Sequence, residues 1–592
     1  MTSTDEGTKV SESVEQKDAK EMNASTANTE QKSVNETDYD LHVKPEYVLK
    51  ERHPCLQPPM ERKEEEYHPN QKQKKNRHKK NVRNAAKSGK EKTLSDMKVC
   101  KQTMVGEECP FGEKCKFKDT HDIKLMLQIR EPDIKDVKCP SFNIYGKCQY
   151  GISCRVGADH IDFETGKNLT KNVEDVEETT KNNVPYNKLV LLRKDKYPFV
   201  CKRYRPGGDK KRKNKDRNGS EQNINETANK VKVEEKGTDS KPEAVPVVAN
   251  SEAVDMTPLP KMRKLIDFSN KVYVAPLTTV GNLPFRRVMK KYGADITCGE
   301  MAVATNLLQG KTGEWALLKR HKDEDIFGVQ IAAGHADNYE RLSEVIKNEG
   351  VEIDFLDMNL GCPIDVICEK GAGAKLMMRE STIRDAVQGM GKNLDCPITI
   401  KIRTGWEESK PFAHKLVPKI QSWGFGNIGA IMLHGRSRLQ RYSRLANWEY
   451  IEQVANAQSS EMDKIPIIGN GDIFSYTDYE EKVLQHEGLS NTAMLGRGAL
   501  IKPWLPTEIK ERRHWDISAS ERLDMLKDFV CFGLEHWGSD EYGVQNTRRF
   551  LLEWLSFLHR YVPVGLLEAQ SIPQKLIFDH HKTCVGVPIS RQ

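Results

Sequence analysis

The sequence predicts an α/β fold, a TIM (β/α)8 barrel with a C-terminal helical domain, preceded by two small N-terminal metal-bound fingers and disordered basic tails. Three observations carry this. Past residue 260, eight short runs rich in Val and Ile recur at intervals of about twenty to forty residues. Helix-length amphipathic segments such as NYERLSEVIKNE and STIRDAVQGMGKNL lie between them, an alternation that favours parallel strands with crossover helices, closed as a barrel or wound as an open sheet. Beyond the eighth run only helical spacing remains, in ERLDMLKDFVCFGLEHW and NTRRFLLEWLSFLHRYVPVGLLEAQ. Upstream, the pattern C-x8-C-x5-C-x5-H occurs twice, as Cys100, Cys109, Cys115 and His121, then 39 residues later as Cys139, Cys148, Cys154 and His160.

Taken in order, residues 1–95 lack apolar periodicity and are expected to be disordered, basic in their second half, where QKQKKNRHKKNVRNAAKSGKEK lies. Residues 96–165 hold the repeated pattern. Three thiolates and one imidazole suit tetrahedral Zn2+, and a metal core lets a segment of this size fold without a large apolar interior. Disulfides are the competing reading, but the chain opens MTSTDEGTKV without an apolar run and its other eight of 14 cysteines are scattered singly, as in a reducing compartment. Phe111, Phe117, Phe142 and Tyr145 stand among Lys101, Lys114, Lys116, Lys118 and Lys147, a mixture suited to stacking unpaired bases and neutralising phosphates, so RNA is the expected partner. About half of these rings are expected to pack on the metal clusters instead.

Residues 166–260 read as mostly disordered linker, with a second basic run, GGDKKRKNKDR. KLVLLRKDKYPFVCKRY within that span is too apolar for a linker, and the sequence assigns it no role. With a mean hydropathy of -0.68 and 30% charged residues, long stretches must be solvated. No stretch of eighteen apolar residues occurs, so no membrane span is expected.

The barrel is expected over residues 261–507. Its strands are KVYVA (271–275), DITCGE (295–300), IFGVQI (326–331), DFLDMNL (354–360), PITIKIR (397–403), AIMLHG (430–435), IPIIGNGD (465–472) and TAMLGRG (492–498). Catalytic groups of such barrels sit at the carboxyl ends of the strands. There this chain has Pro276 to Thr278, Gln330, Asn359 with Gly361 and Cys362, Lys401 and Arg403, His434 and Arg436, Asn470 to Asp472, then Gly496 and Arg497. GNGD and GRG after the last two strands suit close approach to a phosphate, and Lys401 can place positive charge beside the N1 and O2 edge of a flavin. FMN is therefore a sensible cofactor. Residues 508–592 are expected to form the helical domain and tail.

VAPLTTVGNLPFRRVMKKYGAD, DMNLGCPIDVICEKGAGAKLMM, KIRTG, LHGRSRLQRYS, GNGDI and LGRGAL closely resemble the tRNA-dihydrouridine synthases, over about residues 270 to 505. The finger pair is similar to the eukaryotic branch that modifies uridine 47 of the variable loop. The resemblance implies that FMN, reduced by NADPH or NADH, passes hydride to C6 of uracil while Cys362 protonates C5. It implies flavin contacts at Pro276, Leu277, Thr278 and Gln330, ring contacts at Lys401 and His434, and phosphate or ribitol contacts at Asn470, Gly471, Asp472, Gly496 and Arg497. Arg403 and Arg436 are assigned to the uracil or RNA, and the helical domain to RNA binding. Where relatives often read KGGGCALM, this chain has KGAGAKLMM, with Lys375 in the loop. The expected partners are tRNA and also mRNA, the expected state a monomer, and the expected location cytoplasm and nucleus. The alternatives are an FMN oxidoreductase acting on a small molecule and a non-catalytic RNA-binding scaffold.

Overall fold

In the computed structural model of the chain, residues 93–94, 97–172, 179–201, 266–423 and 426–563 are described. The expected disorder of residues 1–92, both basic runs, most of the linker and the tail past 563 lie outside the described residues.

All eight expected strands form. They are β1 (Val272–Val274), β2 (Ile296–Cys298), β3 (Ile326–Ala332), β4 (Phe355–Asn359), β5 (Ile398–Arg403), β6 (Ile428–His434), β7 (Ile467–Asn470) and β8 (Ala493–Leu495). Each pairs in parallel with its neighbour, and β8 pairs back onto β1, so the sheet closes into a barrel. Alternation along each strand separates two environments. Leu356, Met358, Ile400, Ile402, Ile431 and Leu433 point outward to the surrounding helices. Tyr273, Cys298, Phe355, Ala430, Met432, Ile468 and Met494 fill the interior together with Phe268, whose ring meets Phe355 edge-on at 6.0 Å. The same inward rows end in polar residues. Register places Asn359 beside Lys401, Arg403 beside His434, and His434 beside Asn470, so the polar strand ends converge on one mouth.

The helical region comprises Ala519–Trp537, begun by a Ser518/Glu521 capping box, and Glu541–Leu558, begun by Asp540. It shares the barrel's core rather than building its own. Trp554 packs edge-on against Phe285 at 5.4 Å and donates its indole N–H to Leu500 O at 3.0 Å. Arg287 pairs with Glu535 at 2.6 Å.

Residues 179–201 fall within the span expected to be mostly linker, yet they are folded onto the barrel. Thr180–Lys181 pairs antiparallel with Arg320–His321. The helix Tyr186–Arg193 then buries Leu189 and Leu192 in the main core. Tyr197 joins that core and donates to Glu349 at 2.8 Å. This accounts for the apolar character of KLVLLRKDKYPFVCKRY.

Candidate active site and metal centres

The mouth is built from a chain of hydrogen bonds rising from the barrel interior. Asp357, inward on β4, accepts from Thr399 Oγ1 at 2.8 Å and from Gln330 Nε2 at 2.6 Å. Gln330 Oε1 in turn accepts from Asn359 Nδ2 at 2.7 Å. Asn359 Oδ1 receives the backbone N–H groups of Cys362 at 2.9 Å and Gly361 at 3.2 Å. Each amide's orientation is thereby fixed by the next, and the loop bearing Cys362 is tied to the barrel floor. Burial pushes the Asp357 carboxyl up to about 7, against the bonds from Gln330 and Thr399 and the charge of Lys401.

Cys362 is buried among Ile367 and Ala372, and burial pushes its thiol up, so it is protonated at neutral pH. Gly373 follows it closely. Its φ is +57°, and a Cβ there would stand 2.8 Å from Cys362 O, which only glycine avoids. Arg403 clamps the same loop by donating from Nε to Gly361 O at 2.7 Å and from Nη1 to Ser437 O at 2.9 Å.

The ends of β5 to β8 carry a cationic corner. Lys401 Nζ donates to Asn470 Oδ1 at 3.0 Å, and Asn470 Nδ2 donates to Met494 O at 3.0 Å. Burial, then the neighbouring Arg403, lowers Lys401 to about 8. His434 is held well below its usual range by burial and by the surrounding charges of Arg403, Lys401, Arg436 and Arg497, so it is a neutral imidazole. Its Nδ1 is buried with no hydrogen-bond partner among the described residues. Asp472, at φ +54°, stands between two arginines. Arg436 Nη2 reaches both its oxygens at 2.6 and 2.7 Å, and Arg497 Nη2 reaches Oδ1 at 2.9 Å. Arg436 Nη1 remains buried and without a partner among the described residues, beside Gly471. A Cβ on Gly496 would meet nothing within 4 Å. Pro276, Leu277 and Thr278 form the turn after β1, closed by Gly281 N–H donating to Leu277 O at 2.7 Å.

A family described as dihydrouridine synthase (Dus) matches residues 273–538. A Xenopus laevis protein named tRNA-dihydrouridine(47) synthase [NAD(P)(+)]-like is 47% identical over 482 residues, covering 79% of this chain and 70% of the relative. Human and Arabidopsis thaliana proteins of the same name are 44% and 38% identical, covering 79% and 81% of this chain and 72% and 78% of their own lengths. The chain belongs to the dihydrouridine synthase family.

The mouth of this dihydrouridine synthase fits the phosphorylated flavin that the family implies. Four cations surround His434, two of them bound to the carboxylate of Asp472, and an orphaned donor on Arg436 and an orphaned nitrogen on His434 await a polar partner. The Asp472 side chain is engaged by Arg436 and Arg497, and a phosphate here would meet those arginines and the local backbone rather than its carboxylate. Arg436 is itself buried in this corner.

Away from the mouth, the synthase carries both expected Cys3His clusters. Within each, the four ligand atoms lie within 4.8 Å of one another. The Cys100–Cys115 and Cys139–Cys154 sulfurs are 3.9 Å apart, matching the ~3.8 Å that a tetrahedron of Zn–S bonds requires. His121 Nε2 and His160 Nε2 are buried without partners among the described residues, as ligand nitrogens awaiting a metal would be. Asn168 Oδ1 sits 2.8 Å from His160 Nδ1, which orients the ring for ligation through Nε2.

Residues beyond those expected also shape the site. Asp357 and Thr399 were findable, since they lie two residues before Asn359 and Lys401 on inward rows. Trp406 was not. Its ring lies under Arg438 at 4.6 Å and Lys375 at 5.1 Å, and Arg438 pairs with Asp365. The unusual Lys375 therefore takes part in joining three loops around the mouth.

Proposed function

We propose that this synthase reduces the C5–C6 bond of uridine 47 in the tRNA variable loop, with Cys362 as the proton donor. The observation that carries this is the protonated Cys362 thiol, fixed through Asn359 at the same mouth that holds a cationic corner with two orphaned nitrogen atoms. Bound FMN, recharged by NADPH or NADH, supplies the hydride that adds at C6. The chain's own residues do the rest. Cys362 Sγ–H gives its proton to C5, and the thiolate regains one from solvent. A neutral thiol can wait in a buried site without the cost of a buried charge.

Arg436, Arg497, Gly471 and Gly496 would hold the phosphate end of the cofactor, and Asn470 its ribitol. Lys401, His434 and Gln330 would contact the flavin ring, together with the Pro276–Thr278 turn. Asp472 and Arg403 act as positioning residues, the first through two arginines and the second through the Cys362 loop. The Cys3His clusters bind Zn2+. A uridine in folded tRNA must be extracted from its stack, so the N-terminal finger module, basic runs and helical region supply RNA affinity while the mouth accepts only the extruded base. The names of the relatives support tRNA and position 47. We extend the proposal to mRNA as a further substrate, to a monomeric enzyme, and to both nucleus and cytoplasm, the last on the basic run KKRKNK. No helix among the described residues is long and apolar enough to cross a membrane.

The test is dihydrouridine content at each position of tRNA from cells lacking the protein, complemented with the native chain or with Cys362→Ala. Loss at the variable-loop site, restored by the native chain alone, is expected. An unchanged profile would overturn the proposal.

A further inference from the structure

The two fingers share a ligand spacing but not an environment. All four ligands of the second finger are buried, and the finger forms one apolar cluster with Val530, Leu534 and Val544 of the C-terminal helices. Ser539 Oγ, fully buried in the turn between those helices, lies 3.0 Å from Cys154 Sγ and 3.8 Å from Cys148 Sγ. Arg155 N–H donates to Ser539 O at 2.7 Å, and its guanidinium pairs with Glu541. A Cβ on Gly538 would lie 2.2 Å from the Tyr150 hydroxyl, so the ring sits directly on the turn backbone.

Adding 39 to a position in the first finger gives its counterpart in the second. Phe111 then corresponds to Tyr150, Lys114 to Ser153 and Lys116 to Arg155. In the second finger, Tyr150 and Arg155 on this face meet the C-terminal helices. In the first finger no described residue covers the same face, with Phe111 68% exposed and Lys114 and Lys116 also exposed. Among the other rings expected to stack bases, Phe142 is buried under Lys171, and the Tyr145 hydroxyl bonds Thr179 at 2.8 Å.

We propose that the first finger alone presents an RNA-binding face, on which an unpaired base stacks against Phe111 with its phosphates at Lys114 and Lys116, while the second finger is a zinc-held staple joining the N-terminal module to the C-terminal helices. This rests on the reading of RNA as substrate. RNA is favoured over a protein occupant for two reasons. The open face carries lysines where one of the covered face's counterparts is Ser153. It also follows a run, residues 71–92, with ten Lys and Arg against one Glu. Acidic neighbours such as Glu113, paired with Lys118 at 3.4 Å, leave the finger itself little net charge, so stacking must supply much of the binding.

The experiment measures the Kd of the full-length, zinc-loaded protein for a tRNA transcript at several salt concentrations. Phe111→Ala should weaken binding about tenfold. Lys114→Glu with Lys116→Glu should weaken it further and lower the log–log salt slope by about two. Both should leave zinc content, flavin content and Tm unchanged. Tyr150→Ala and Arg155→Ala should instead lower Tm and speed proteolysis between the fingers and the helices, with Kd at 25 °C kept within about twofold. Equal Kd values for native and first-finger variants would overturn the proposal, as would a larger loss of affinity from the second-finger variants. A shifted Kd without any dihydrouridine product would instead overturn the synthase reading and leave the binding face standing.

Discussion

In the barrel mouth, Asp357, Gln330 and Asn359 are bonded to one another before any ligand arrives. In the fingers, His121 Nε2 and His160 Nε2 are buried and bonded to nothing among the described residues. The first site is held by some two hundred residues of barrel, whose core makes the geometry independent of the cofactor. The second is held by little except its metal and, for one finger, a neighbouring helix pair. A large core can store a polar arrangement in advance, whereas a small module must borrow its rigidity from an ion.

The largest expected effect tests that contrast directly. Stripping zinc with a chelator should unfold the fingers, since structural zinc contributes on the order of 10 kcal/mol of apparent binding free energy in such modules. The flavin absorbance of the barrel should persist. Loss of flavin in step with zinc would break the comparison. Next, Cys362→Ala should lower dihydrouridine formation by about 10²–10⁴-fold while FMN content stays constant, because the mouth is organised without the thiol; a parallel loss of flavin would show otherwise.

A third test probes the barrel's stored pairing. Arg286 and Glu324 are bonded at 2.7 Å and almost fully buried. Glu324→Ala should therefore cost about 3–5 kcal/mol in denaturant unfolding by leaving an uncompensated charge. The smallest effect concerns pH. Lys401 is depressed to about 8, so it is charged below that pH and neutral above it. The affinity of the apoprotein for FMN should fall as pH rises through 8, by at most about tenfold per unit, and Lys401→Met should flatten the profile. The sign for folding is opposite. The unfolded lysine stays protonated up to its ordinary value, so between pH 8 and that value the unfolded chain binds more protons and this group's contribution to stability rises with pH.

Most of the barrel was legible because its strands are short apolar runs, several rich in Val and Ile, with polar residues at or just past their ends, and the inward row Phe355, Asp357, Asn359 follows from period two alone. The segment 179–201 was visible only as apolar composition, since nothing local tells Leu189 or Tyr197 which surface will cover it. The helical region was expected as helices, but the sharing of its core with the barrel depends on Trp554 meeting Phe285, a tertiary contact. Asp472 was legible as a strand-end residue, but its side-chain contacts depend on two arginines 36 and 25 residues away. The fingers show the limit most clearly. Equal spacing made them look interchangeable, and their difference comes from Ser539, which lies 385 residues beyond Cys154.

That separation also sets an order of events during synthesis. The second finger leaves the ribosome and can take up metal long before the turn that covers it exists. At the usual 5–20 residues per second, Ser539 is added about 20 to 80 s after Cys154. Throughout that interval Ile152, Tyr150 and Val156 have no helices to pack against, so the nascent chain exposes an apolar patch beside a reactive thiolate centre. Docking of this finger therefore closes the molecule, and it can occur only after the barrel between the two modules has been made.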